Sequence, residues 1–142
     1  MKLVWKLEIR NMKNSKPIRS FRDLIVYQNT YNAAIMVMKK IVAKLPDEEK
    51  HGLKSQLSRA CKSIPALIAE GYAKKHQKKH FQKYLDDAIG ESNEMITHLS
   101  FCKDIYGDLL ENELCDKLIE IYDIAGRQLY MLSKKWQDFK ER

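Results

Sequence analysis

The stretch FQKYLDDAIGESNEMITHLSFCKDIY, residues 81–106, decides the fold class. Phe81, Leu85, Ala88, Ser92, Met95, Leu99, Cys102 and Tyr106 recur there at alternating spacings of four and three. At 3.6 residues per turn that spacing places all of them on one stripe of a helix and leaves the charged residues between them on the other faces. Gly90, inside the stretch, costs about 1 kcal/mol relative to Ala, so it is read as a point where another helix comes close. Gly107 follows the last stripe residue as a left-handed cap. A helix apolar along one stripe buries it only against other elements, and the flanking sequence supplies them.

Downstream, Leu114, Leu118, Ile121, Ala125, Leu129, Leu132 and Trp136 repeat the helical period. Upstream, Leu53, Leu57, Ala60, Cys61, Ile64, Leu67 and Ile68 do the same up to Gly71. Pro65 lies inside that run, where it removes one backbone hydrogen bond and kinks the helix. Earlier still, Ser20 and Asp23 form a short capping box, and Leu24, Tyr31, Met38 and Leu45 recur every seven residues, with Tyr27, Ala34, Ile35, Ile41 and Val42 between them. Pro46 ends this pattern. The expected helices run over about 21–45, 53–72, 77–106 and 112–136. Short connections between long helices predict an all-α, antiparallel up-down-up-down four-helix bundle over residues 20–137. A basic N-terminal arm, 1–19, precedes it, and a charged tail, 138–142, frays at the end.

Hydrophobic residues are 44% of the 142, and no run of 18 apolar residues exists, so no membrane-spanning helix is expected. The first 18 residues are broken by Lys2, Lys6, Arg10, Lys13 and Lys16 and lack a signal-peptide pattern, which points to the cytoplasm. Cys61, Cys102 and Cys115 sit at or beside apolar helix positions without a CxxC pair and read as buried free thiols.

The net charge of +7 is unevenly spread. Residues 50–83 carry nine Lys/Arg against Glu70, and residues 84–125 carry eleven Asp/Glu against Lys103 and Lys117. Residues 1–22 are basic again. Two readings stand: a surface for a polyanion, nucleic acid first, or simply solvated helix faces.

Motifs for chemistry are absent. His76 and His80 share a spacing of four, but lysines surround them and no carboxylate lies in the tract, so no metal site is expected. Asp87, Glu91 and Glu94 suggest a di-metal bundle, yet the one Glu-x-x-His, Glu48 to His51, falls in the loop before the second helix and none lies on the helices themselves. Neither a glycine-rich phosphate loop nor a nucleophile elbow is present, and Cys61 has no adjacent His. No catalytic residue and no cofactor is expected. Gln56, Arg59, Ser63 and Glu70 share a face of the second helix, and Gly90, Ser92 and Glu94 form a matching set on the third. A buried Arg–Glu pair that fixes helix register, or a partner-binding surface, would account for them.

Several of these residues also carry a resemblance. Gly52-Leu53-Lys54-Ser55-Gln56-Leu57-Ser58-Arg59-Ala60, then Ser63-Ile64-Pro65 and Ile68-Ala69-Glu70-Gly71-Tyr72, resemble the signature of the bacterial four-helix-bundle family known as the 23S rRNA intervening-sequence proteins. Phe21-Arg22-Asp23-Leu24-Ile25-Val26-Tyr27-Gln28 looks like the opening helix of that family, and Phe81, Tyr84-Leu85, Ala88, Gly90 and Glu94 fit its third. Leu67 stands where that family usually has Asn, and Glu91 where it usually has Ser. The resembled family is similar in fold to the accessory variability determinant of diversity-generating retroelements, a barrel-shaped homopentamer that binds a reverse transcriptase and nucleic acid. Other members are encoded in ribosomal RNA intervening sequences.

The resemblance thus implies a ring-shaped homo-oligomer, a pentamer, acting as a basic adaptor for RNA or DNA and a reverse transcriptase, with no membrane role. A self-assembling or protein-binding module whose lysines only solubilise it is the alternative. The candidate phosphate contacts are Lys74, Lys75, Lys78, Lys79 and Lys83, with Lys54 and Lys62 on the preceding helix and Arg10, Lys13, Lys16 and Arg19 on the arm. Tyr72 and Phe81 flank the lysine tract, either to stack on bases or to pack in the core.

Overall fold

A computed structural model describes residues 17–140, and among these the secondary structure is entirely helical. The four helices are α1 (Ile25–Met36), α2 (Leu53–Ala73), α3 (Lys78–Tyr106) and α4 (Asn112–Lys140). α1 packs on α2 and α4, and α3 packs on α2 and α4, so the four close into a bundle with α1 and α3 diagonally opposed. The expected stripe of α3 is buried from Phe81 through Leu85, Ala88, Ser92, Met95, Leu99 and Cys102, and its last member, Tyr106, is half-buried. α2 buries the expected residues except Leu67, which is half-buried, and runs through Pro65 without interruption. The buried Thr30 and Ser92 hydroxyls bond backbone carbonyls of their own helices, Val26 O at 2.7 Å and Ala88 O at 2.9 Å, so neither leaves a polar atom unpaired in the core.

The first helix departs from its expected form. The Ser20/Asp23 capping box is present but caps a separate 3₁₀ turn, Phe21–Asp23, and Leu24 is extended (φ −72°, ψ 123°) before α1 starts. After Met36 the backbone widens into a π-helical turn, Val37–Ile41, then tightens into a 3₁₀ turn, Val42–Lys44. The expected stripe is only partly inward: Leu24, Ala34, Ile41 and Leu45 are buried as expected, but Tyr31 and Ile35 are exposed, and Val26, Thr30, Ala33 and Val37, which the heptad passed over, are buried. Both faces of α1 are apolar, so spacing alone does not distinguish the inward one.

The close approach expected at Gly90 is found at Gly71 instead. A Cβ added at Gly71 would lie 2.8 Å from Tyr84 Cβ, so α2 and α3 approach closely there, while nothing lies within 4 Å of one added at Gly90. Gly107 is right-handed (φ −58°, ψ −26°), not a left-handed cap, and no described residue has a positive φ. The helix ends are tied by side chains instead. The Tyr106 hydroxyl donates to Glu49 Oε2 at 2.7 Å, Glu49 Oε1 accepts the Leu53 N–H at 3.1 Å, and Lys103 donates to Asp116 at 2.7 Å.

Candidate functional site

The α2–α3 connection gathers five lysines at one end of the bundle. Lys74 ends α2, where its ammonium donates to the Tyr84 hydroxyl at 3.1 Å and lies 5.1 Å from the centre of that ring. The Tyr84 hydroxyl in turn donates to Glu70 at 3.1 Å. This contact raises the Lys74 pKa and keeps the amine charged. Lys75 lies 4.3 Å over the Tyr72 ring, a cation–π contact that holds its head at the surface. Lys78, Lys79 and Lys83 occupy the exposed first turns of α3, and none of the three pairs with a carboxylate among the described residues. His76 and His80 are exposed in the same tract. Among the described residues no three His, Cys, Asp or Glu side chains converge as metal ligands.

The other candidates lie apart. Lys54 sits 20 residues before Lys74 on α2, about 30 Å away at 1.5 Å per residue, and pairs with Asp47 at 3.6 Å. Lys62 is about 18 Å from Lys74 by the same rise and borders a different feature, the groove described below. Arg19 is exposed, with its backbone N–H donating to Asp23 at 2.9 Å. Arg10, Lys13 and Lys16 lie outside the described residues, as does most of the 1–19 arm. Tyr72 and Phe81 are buried against Trp136, with ring centroids 6.0 and 5.3 Å away. Both therefore pack in the core, and the base-stacking role fails because their faces are already covered.

The polar face of α2 meets α3 through one fork. Arg59 donates to Glu91 at 2.9 Å and to Glu94 at 2.5 Å, and His98 Nε2 lies 3.3 Å from Glu94. The pair is not buried as expected, because the Arg59 side chain is 50% exposed. Both carboxylates raise the Arg59 pKa, Glu91 more than Glu94. Partial burial pushes the Glu94 carboxyl up, but the bonds from Arg59, His98 and Glu91 outweigh it and hold it below its ordinary value. Ser63 instead donates to Ala60 O of its own helix at 2.9 Å, and Gln56 is exposed. The sequence marks Glu91 as a departure from the resembled pattern and as one of three spaced carboxylates, and the fork gives it a contact with Arg59 instead.

Cys61, Cys102 and Cys115 are buried and free. Desolvation pushes the Cys61 thiol up to about 11 and the Cys102 thiol up to about 12, so neither is a nucleophile near neutral pH.

The feature that the sequence did not suggest is an apolar groove between α1 and α2, about 550 Å³ in volume. Phe21, Tyr27, Tyr31, Ile35 and Met38 line one wall, and Pro65 and Ala69 line the other. Among the described residues, Lys39 and Lys62 are its charged lining residues. Of the expected heptad, Tyr31 is exposed on this groove rather than in the core, whereas Met38 is half-buried between the groove and the core.

Compared with known proteins, residues 22–131 match the family described as 23S rRNA-intervening sequence protein. The chain belongs to this family. The match spans the four helices through Met131 and includes the lysine tract, the Arg59 fork and every lining residue of the groove except Phe21. No curated protein and no solved structure matches the chain. Among the described residues of this family member, no helix is long and apolar enough to cross a membrane.

Proposed function

We propose that this 23S rRNA-intervening sequence protein is a non-catalytic, cytoplasmic adaptor that grips nucleic acid through the lysine end of its bundle. One observation carries the reading: Lys78, Lys79 and Lys83 are exposed without carboxylate partners, beside Lys74 and Lys75, which ring contacts hold at the surface. Five ammonium groups within ten residues supply the point charges that phosphates attract, so binding in this reading is salt-sensitive and weakly sequence-specific. The helices follow an antiparallel up-down-up-down course in this reading. Supporting it, Tyr84 meets Glu70 beside the α2–α3 connection, while Glu91 and Glu94, further along α3, meet Arg59, further back on α2.

The resemblance to the accessory variability determinant extends the proposal to a ring-shaped homo-oligomer, a pentamer, that docks a reverse transcriptase. A ring presents the lysine cluster once per copy and so multiplies the phosphate contacts available to one strand. The test is a mobility shift with structured RNA and with duplex DNA across a salt series. Binding at low salt, lost when Lys74, Lys75, Lys78, Lys79 and Lys83 become Glu, supports the proposal. Undetectable binding at low salt, or binding indifferent to the five substitutions, refutes it.

The second reading, a self-assembling module encoded in an rRNA intervening sequence and indifferent to nucleic acid, is favoured by the exposed apolar side chains on two faces of the bundle. Light scattering together with the same shift assay separates the two.

A further inference from the structure

We propose that the α1–α2 groove receives the far end of α3 from a second copy of this chain, a head-to-tail contact that joins two different faces. The inference rests on the self-assembly reading above and names the surfaces that would produce it. The seven large apolar residues exposed among the described residues include Tyr31 and Ile35 on the groove wall and Phe101, Ile105 and Leu109 at the end of α3, all between 41 and 57% exposed. Phe101, Ile105 and Leu109 are spaced four apart. The first two share one face of α3, and the third continues the row into the turn after it. Together they form a short apolar ridge. Asp104 and Asp108 stand exposed beside this ridge, and Lys39 and Lys62 stand exposed at the groove.

The charge pattern decides the occupant. The groove is apolar with a positive rim, and the ridge is apolar with negative flanks, so the two faces complement each other and neither complements itself. Residues 1–16 carry apolar side chains but also Lys2, Lys6, Arg10, Lys13 and Lys16 against Glu8, the same sign as the rim. They are the poorer fit. α1 and α3 lie diagonally opposite in the bundle, so one molecule cannot dock its own ridge in its own groove. A contact between unlike faces leaves one of each free on every pair, and it propagates into a ring or an open filament.

The experiment uses the full chain in two forms, Tyr31→Ser/Ile35→Ser in the groove and Phe101→Ser/Ile105→Ser on the ridge. All four side chains are exposed, and circular dichroism checks that both forms remain folded. Light scattering should find each form at least about 100-fold weaker in self-association than the parent chain. Mixed together, the two should form a one-to-one heterodimer, because each retains the face that the other has lost. A chain with residues 1–16 deleted should assemble as the parent does.

If the parent chain is monomeric at high concentration, the self-assembly reading falls and this contact falls with it. If the parent is oligomeric and either substituted form still assembles, only the assignment of faces falls. Two monomeric forms that fail to complement overturn the head-to-tail geometry. Loss of assembly on deleting residues 1–16 overturns the choice of occupant.

Discussion

Tyr122 places a phenol in the core with no hydrogen-bond partner for its hydroxyl, and burial raises its pKa. An unsatisfied buried hydroxyl costs about 1–3 kcal/mol, so Tyr122→Phe, which keeps the ring and removes the oxygen, should stabilise the chain by about 1 kcal/mol in urea unfolding. The glycines give a paired expectation. Gly71→Ala drives a methyl against the Tyr84 Cβ and should destabilise by about 1–3 kcal/mol. Gly90→Ala meets open space in a helix interior and should stabilise by about 0.5–1 kcal/mol. The same unfolding assay checks both, and equal signs for the two substitutions would contradict the assignment of the close approach.

At the scale of elements, the Arg59 fork and the Glu49 bracket carry the pH dependence. Glu94 and Glu49 are carboxyls held below their ordinary 4.5. Their stabilisation is complete above that pH and is lost as the pH falls through their lower folded values. Tyr106, bonded to Glu49, is pushed up to about 12 from 10.0, so its contribution is complete below pH 10 and is lost as the pH rises toward 12. The urea midpoint should therefore be flat between about pH 5 and 10 as far as these groups set it. Arg59→Ala should lower stability by about 0.5–1 kcal/mol near neutrality, the range for a largely exposed pair, and should shift the acid limb upward.

Elements were legible in proportion to how one-sided they are. The stripe of α3 holds its four-and-three spacing without a break, so spacing alone identified every buried position from Phe81 to Cys102. α1 has two apolar faces and is followed by a π-helical turn that adds a residue to the register, so a heptad count mixes the two faces, joining Tyr31 and Ile35 to the buried Leu24, Ala34, Ile41 and Leu45. The lysine tract was legible because it is contiguous. The groove was not, because its walls come from two helices and each wall taken alone reads as core.

At the scale of the molecule, charge and assembly act together. If the five lysines of the tract bind phosphate, the logarithm of affinity for duplex DNA should fall with the logarithm of salt at a slope of about −0.9 per contact made. Substituting Lys79 by Ala should shallow that slope by about one unit per engaged copy, at nearly the same cost for unrelated sequences. A slope unchanged by the substitution would place the phosphate elsewhere.

The broken first helix has a kinetic consequence. α2, α3 and α4 are long and uninterrupted, whereas α1 gives way after Met36 to π and then 3₁₀ geometry and has the apolar groove along its outer side. Backbone hydrogen bonds shared among three short helical types are cooperative over shorter spans, so this segment can open without the rest of the bundle. In deuterated water the amides of residues 25–44 should exchange ahead of those in residues 85–102. Anything that fills the groove should slow that exchange, which makes the protection of α1 a direct report on whether the groove is occupied.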